Sequence, residues 1–365
     1  MRFIFITREG YLQPGARMRS YGLSDELKKR GLDSEVLSFT DHLGAKAGRD
    51  ETDFTIWEKL VYAGRGIGHL ARRERPVFII NRFNYHTLPG LLVSMIKKSP
   101  FVFDMDDWEA REDTGYYLGI FPKSKAETLT RFTAKRSKLC IAASRYLKDY
   151  LSRFNKNVYY IPTGIDLDKF KLRGSKKRGH LIFSWHGSVN RREVVDYIAF
   201  IIDCFDSLRK KYDFIKLTIA GDGIFGRELK KMVEEKNAPD VEYEGWLHPD
   251  AVPSYVEDAD IGLVPLLEQS RFNLSKSPVK LLEYMAVGRP VIASKTGEAR
   301  YIVNNGINGF LAADKDEFVY YMEELIKDPS RIKELGINAH QTVRKSYSLD
   351  KMGERLYSLI LDNFA

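Results

Sequence analysis

The chain predicts an α/β protein of two Rossmann-like domains, each a doubly wound parallel sheet, and three observations carry that expectation. At 365 residues it is too long for one ordinary core and suits two. Short apolar runs alternate with segments of helical period from the first residues onward, which is the pattern of βα units. Between two such series lies KLRGSKKRGH, residues 171–180, a charged stretch with glycine and serine that has the composition of a linker.

Arg2–Thr7 (RFIFIT) reads as the first strand. A turn-rich loop, Arg8 to Gly15, leads into a helix from about Ala16 to Arg30 that Gly31 stops. Val36–Phe39 is the second strand and completes a βαβ start. Val77–Ile80 and Phe101–Phe103 follow as buried strands around the apolar helix Leu88–Lys97, and Leu139–Ala143 and Val158–Ile161 flank a helix Arg145–Phe154. The second series has strands at Leu181–Ser184, Lys216–Ala220, Val241–Tyr243, Ile261–Val264 and Val291–Ala293. The last segment, Tyr347 to Phe364, carries Met352, Leu356, Leu359 and Ile360 at helical spacing. The expected domains are 1–175 and 176–346, and periodicity alone lets the final helix join either.

Composition is that of a globular protein, 44% hydrophobic and 30% charged, with no low-complexity tract or solenoid repeat. Cys140 and Cys204 sit among apolar residues and read as buried thiols of a reducing compartment, not as a disulfide. No CxxC or paired-histidine spacing suggests zinc. The apolar run in MRFIFITREG is too short for a signal peptide and no run reaches membrane-spanning length, so a cytoplasmic location is expected. The net charge of +8 is uneven: residues 1–180 hold 34 Lys+Arg against 21 Asp+Glu, and the remainder 24 against 29. A basic half points to nucleic acid, anionic lipid or a phosphorylated acceptor. No aromatic-interleaved basic motif or recognition-helix pattern is present, which places nucleic acid last.

The segment Ser275–Ser294, SKSPVKLLEYMAVGRPVIAS, is the most informative. Ser277 and Pro278 have the form of a helix start, a cap followed by proline at the first helical position. Lys280 and Glu283 lie three residues apart and share a face. Gly288 and Pro290 stop the helix before a buried strand. A helix N-terminus with a lysine beside it suits a phosphate, and a carboxylate one turn in suits the vicinal hydroxyls of a ribose. The same pair would also serve as an ordinary exposed helix pair.

The wording of that segment resembles the C-terminal signature of nucleotide-sugar glycosyltransferases of the GT-B fold, specifically the large retaining family 4. Ser144 in AASRYLKDYL, PTGIDLDKF, Gly221-Asp222-Gly223 with Gly245, DADIGLVPL and NNGINGFL match further motifs of that family, so the resemblance covers nearly the whole chain. It implies two domains facing a cleft, with the final helix crossing back onto the first. It implies a transferase moving a sugar from a nucleotide-diphosphate donor, with UDP or GDP, to a glycan or lipid-linked acceptor, without metal or other cofactor. Glu283 would hold ribose. Lys280, the Ser277 helix start, Gly187 in SWHGSVNRRE and the arginines Arg191 and Arg192 would hold the diphosphate. Arg192, Lys280 and Asp106 are the residues the resemblance ties to catalysis.

Two departures matter. The family has a second glutamate eight residues before Glu283, on the transferred sugar, and here that position is Ser275. The N-terminal Gly-Gly of the family is Gly15-Ala16, followed by Arg17 and Arg19, and Gly15 can still bring backbone to a ligand. On the acceptor side, Arg17, His86 in NYHTLPG, Asp104 and Asp106 are the candidates. Asp104, Asp106 and Asp107 are enough carboxylates for a divalent cation, or for hydroxyl binding, or for capping the next helix. GDGIFG, residues 221–226, also fits a dinucleotide fingerprint and supports a rival, an NAD-dependent oxidoreductase. A non-hydrolysing sugar-nucleotide epimerase and an inactive scaffold share the expected fold. Finally, Trp57–Arg75 mixes apolar residues with Lys59, Arg65, Arg72, Arg73 and Arg75, and Lys123–Lys138 is a second basic run, so an anionic membrane surface is an expected partner. Gly64, Gly66 and Gly68 should weaken a helix in the first stretch.

Overall fold

The fold is that of a computed structural model, which describes residues 1–46, 54–108, 116–117, 121–122, 127–172, 174 and 179–364. The chain divides into two compact units. One comprises Met1–Gly164, Leu274–Ser277 and Leu349–Ala365, and the other Ile165–Asn273 and Pro278–Ser348. Half of the basic stretch expected as a linker, at 173 and 175–178, lies outside the described residues.

The first unit is built on β1 (Arg2–Thr7), β2 (Asp33–Ser38), β3 (Pro76–Asn81), β4 (Phe101–Met105), β7 (Leu139–Ala142) and β8 (Val158–Tyr160), with a small antiparallel pair, β5 (Tyr116–Tyr117) and β6 (Phe121–Pro122). The six form one parallel sheet in the order β2-β1-β3-β4-β7-β8. Every residue of β3, β4 and β7 is buried. Continuous apolar runs are what a sheet covered on both faces requires, and for that reason these strands were legible as unbroken runs. The second unit has β9 (Leu181–His186), β10 (Ile215–Ala220), β11 (Val241–Gly245), β12 (Ile261–Val264), β13 (Val291–Ser294) and β14 (Gly309–Ala312), ordered β11-β10-β9-β12-β13-β14, again all parallel. In each sheet the winding reverses beside the unit's first strand, between β1 and β3 and between β9 and β12. The carboxyl ends of those strands are where an open α/β sheet binds ligands.

Four expectations need correction. The single helix expected from Ala16 to Arg30 is broken: a short turn Pro14–Ala16 runs into a wide π-turn, Arg17–Tyr21, before the α-helix Gly22–Lys29. Such wide turns occur often at functional sites, and this one carries Arg19. The three glycines do not prevent a helix at Ile56–Ala71. It starts on a reciprocal Thr55–Glu58 capping box, and Gly66 gives it close packing, since a Cβ there would sit 3.0 Å from Phe39 and Pro89. NNGINGFL holds a strand, β14, as well as a turn. Ser277 does not cap the helix that follows. That helix is Val279–Ala286 with Pro278 at the cap position, and the Ser277 hydroxyl accepts from Thr163 N at 3.1 Å.

The C-terminal helix Leu349–Phe364 lies in the first unit. Met352, Leu356, Leu359 and Ile360 share a core with Phe3, Phe5, Val77, Ile79, Val102 and Ile141. Gly353 lets it approach Glu26 of the helix Gly22–Lys29, where a Cβ would come 2.5 Å from Glu26 Cβ. Cys140 and Cys204 are both buried and unbridged, and burial pushes each thiol up to about 12.

Candidate active site

In the second unit the site forms where β9 ends. Side chains alternate along the strand, so Trp185 faces the core beside Phe183 and His186 points to the opposite face. Lys280 reaches from the first turn of the helix Val279–Ala286 and lays its ammonium 4.3 Å from the centre of the Trp185 ring, a cation–π contact that fixes the charge at the strand end. A Cβ on Gly187 would come within 2.5 Å of Lys280 Nζ. The missing side chain leaves the ammonium room at the strand end, and the Gly187 amide is already given to Ala220 O at 3.0 Å. One turn on, Glu283 is buried, 6% exposed, with Oε2 3.3 Å from His186 Nε2. Lys280 and Glu283 therefore bracket the end of β9, a phosphate-suited charge on one side and a two-oxygen acceptor on the other. Burial and the neighbouring Lys280 hold His186 down to about 3, so its ring is neutral.

The turn Gly221-Asp222-Gly223 braces this loop. A Cβ on Gly221 would collide with Gly187 O and one on Gly223 with Asn190, and Val189 N donates to Asp222 O at 3.0 Å. The geometry speaks against a dinucleotide fingerprint. The amides of Gly221, Gly223 and Gly226 donate to Gly245 O, the Asp222 carboxylate and Gly223 O at 2.6, 2.7 and 3.0 Å. A Cβ on Gly226 would strike Asp222 Oδ1, so the chain's own carboxylate fills the place a pyrophosphate would need.

Arg191 and Arg192 lie on the same loop, half-exposed. Arg191 stacks 4.0 Å from the Phe272 ring and pairs with Glu193 at 2.5 Å. Arg192 pairs with Asp196 at 2.7 Å and with Glu228. Exposed pairs of this kind contribute roughly 0–1 kcal/mol, so either arginine can leave its partner for an anion at little cost.

In the first unit, the ends of β1, β3 and β4 gather a different set. Arg19 is buried, 1% exposed, and grips Asp104: Nε donates to both carboxylate oxygens at 2.9 and 2.8 Å, Nη2 to Oδ1 at 2.5 Å, and Nη1 to Ile161 O at 3.0 Å. Asp106 meets Arg82 Nε at 2.9 Å and Asn81 Nδ2 at 3.1 Å. Burial alone would raise the Asp106 carboxyl, but Arg82 beside it and Arg19 beyond hold it below the ordinary range. Burial pushes Asp107 up against the pull of Lys276 and Arg82. The three aspartates thus diverge, and among the described residues no group of three or more His, Cys, Asp and Glu side chains is placed to hold a metal ion.

The remaining candidates are placed as follows. Asp104 is fully buried and engaged by Arg19, so it offers nothing to a hydroxyl. Ser275 is also fully buried; its Oγ accepts from Trp108 N at 2.8 Å and donates to Asp107 Oδ1 at 3.3 Å. His86 is buried against Phe39 and Tyr85 with Nε2 3.2 Å from Asn81 O, which steadies the end of β3. Gly15 is exposed in its short turn, and Arg17 ties that loop through the carbonyls of Tyr11 and Leu12 at 3.4 and 3.0 Å. Asp106 keeps a partly open carboxylate. The residues missed in the sequence are His186 and Arg82. Arg82 sits at φ 54°, in the left-handed region that costs a non-glycine residue of order 1–3 kcal/mol, and its place just after a central strand was the only signal.

Comparisons with known proteins identify the family. Residues 15–169 match the Glycosyltransferase Family 4 model and residues 181–328 the Glycosyl transferases group 1 model. The chain belongs to the group 1, family 4 glycosyltransferases. It is 41% identical over 229 residues to the putative teichuronic acid biosynthesis glycosyltransferase TuaH of Bacillus subtilis, covering 58% of this chain and 54% of that one. It is 26% identical over 230 residues to alpha-monoglucosyldiacylglycerol synthase of Streptococcus pneumoniae, covering 59% and 49%. The chain thus spans about half the length of these curated relatives. Anabaena HepE, solved in complex with UDP and glucose, has the same fold over 99% of this chain and 100% of its own, with a TM-score of 0.70 at 14% identity. The fold is GT-B.

Proposed function

We propose that this chain is a glycosyltransferase that moves a hexosyl group from a UDP- or GDP-sugar to a glycan or lipid-linked acceptor, with retention of anomeric configuration. The observation that carries the reading is the Lys280–Glu283 pair, one helical turn apart at the end of β9. Glu283 accepts the two ribose hydroxyls. Lys280, aided by Arg191 and Arg192, takes the diphosphate. These cations act mainly on charge that develops as the glycosidic bond breaks, so they favour the transition state over bound donor. On the acceptor side Asp106, kept ionised by Arg82, orients the attacking hydroxyl. Its proton passes to the departing phosphate oxygen on the same face, with no protein nucleophile. Proton NMR of the first product formed tests retention: the donor's anomer is expected, and an inverted product overturns the mechanism. Donor consumed as fast without any acceptor would instead indicate an epimerase.

The names of the two relatives, one for teichuronic acid and one for a glucosylated diacylglycerol, support a surface-glycan or lipid acceptor. We further propose that the protein is cytoplasmic and works against an anionic membrane face. The helix Ile56–Ala71 exposes Trp57, Leu60 and Val61, with Trp57 74% exposed, and Arg72, Arg73 and Arg75 follow its end. The helix Leu88–Lys97 exposes Ile96 at 77%. In the second basic run the described part, residues 127–138, holds the helix Glu127–Arg136 with exposed Phe132; residues 123–126 lie outside the described residues. Among the described residues no helix is long and apolar enough to cross a membrane. Each basic side chain near anionic lipid contributes about 1 kcal/mol. Sedimentation with phosphatidylglycerol vesicles should pull the protein down, less so at high salt and less so for the Arg72, Arg73, Arg75→Gln triple variant. Equal partition to neutral vesicles, or none to either, contradicts the membrane role.

A further inference from the structure

His186 closes β9 and is buried, 7% exposed, with its ring packed between Tyr284 at 5.2 Å and Tyr255 at 6.3 Å. Its Nε2 comes within 3.3 Å of Glu283 Oε2. The two atoms are out of line, and Nε2 completes no hydrogen bond among the described residues. A buried ring nitrogen without a partner is costly and calls for a reason. The ring stays neutral because burial and Lys280 oppose its protonation, so it supplies one N–H and one acceptor. A carboxylate is acceptor-only and selects the tautomer with the proton on Nε2. Of its lone-pair sites a vicinal diol takes two, which leaves room for a third donor. A small turn of the carboxylate aligns Nε2–H with Oε2, and site hydrogen bonds commonly tighten only around the ligand.

We propose that His186 is a positioning residue for the donor site: its Nε2–H holds the Glu283 carboxylate in the orientation that accepts both ribose hydroxyls, and so sets the preference for ribose over 2′-deoxyribose nucleotides. The inference rests on the donor-site reading above and adds a selectivity determinant to it. The tyrosines fix the ring's position, and the ring in turn fixes the carboxylate. Without it the carboxylate would lose the donor that sets its orientation toward the diol, and with it the geometry that distinguishes a diol from a single hydroxyl.

Titration calorimetry of the full chain with UDP, 2′-deoxy-UDP, GDP and 2′-deoxy-GDP tests this. In the wild type the ribose form of the better-bound base should win. His186→Phe keeps the ring packing and removes the donor; it should weaken the ribose nucleotide by about tenfold, ~1.4 kcal/mol, while changing the deoxy form far less, so that selectivity narrows. His186→Gln restores a neutral donor and should recover most of the ratio, which a purely structural role would not produce. His186→Leu serves if the phenylalanine variant fails to fold. Glu283→Gln separates the two claims. If it loses selectivity while His186→Phe and His186→Leu keep the wild-type ratio, the role of His186 is overturned and the donor site stands. If Glu283→Gln itself binds as wild type, or the wild type binds neither UDP nor GDP, both fall.

Discussion

Replacing Glu283 with alanine is expected to weaken binding of the donor nucleotide about 30- to 150-fold. That corresponds to the ~2–3 kcal/mol carried by a carboxylate accepting two hydroxyl hydrogen bonds. The size follows from position. Glu283 is buried on the helix Val279–Ala286, so its hydrogen bonds are little diluted by water. The loss should appear as affinity, with the variant still melting cooperatively, because His186 beside it is neutral and does not become a buried charge. Calorimetry with UDP and GDP reads the effect directly; a variant that binds both as wild type does would remove Glu283 from the ribose role.

The largest stability effect is expected in the other unit. Arg19→Met strands the fully buried Asp104, which loses both Nε contacts and the Nη2 contact at once. Breaking one side of such a pair costs about 3–5 kcal/mol, whereas replacing both partners with apolar side chains is often neutral. The Arg19→Met, Asp104→Leu double variant should therefore recover much of the urea midpoint that the single variant loses. The single variant's deficit should also shrink at lower pH, where Asp104 can be protonated and no longer carries a buried charge. A single variant as stable as wild type would mean the pair supports something other than the fold.

How far the sequence could be read follows from the range over which its signals act. Strands such as Pro76–Asn81 and Leu139–Ala142 are buried throughout, so they show as continuous apolar runs. The four-residue Gly309–Ala312 follows a turn rich in asparagine and glycine, and the turn masked it. The glycines of Ile56–Ala71 obscured a helix that a strong cap and a close approach to Pro89 sustain. Lys280 and Glu283 were legible as a site because three residues of helix suffice to bring them onto one face. The partners that give those residues their chemistry were not. Arg19 and Asp104 are 85 residues apart, and Trp185 and His186 meet Lys280 and Glu283 only through the sheet order. Ser277 illustrates the converse: it has the spelling of a cap, but its hydroxyl is drawn to Thr163 N instead.

A donor site of this kind should take a sugar nucleotide. The most direct measurement is a thermal-shift screen of the wild-type protein against UDP-, GDP-, ADP- and dTDP-sugars, with NAD and NADH as controls. Saturating a site at about 100 times its dissociation constant stabilises the folded state by ~2.7 kcal/mol, which moves a melting temperature by several degrees. A shift is expected with UDP- or GDP-sugars, a smaller one with the dTDP-sugar that lacks the 2′-hydroxyl, and none with NAD or NADH. A shift with NAD or NADH alone, or with none of the sugar nucleotides, would contradict a sugar-nucleotide site.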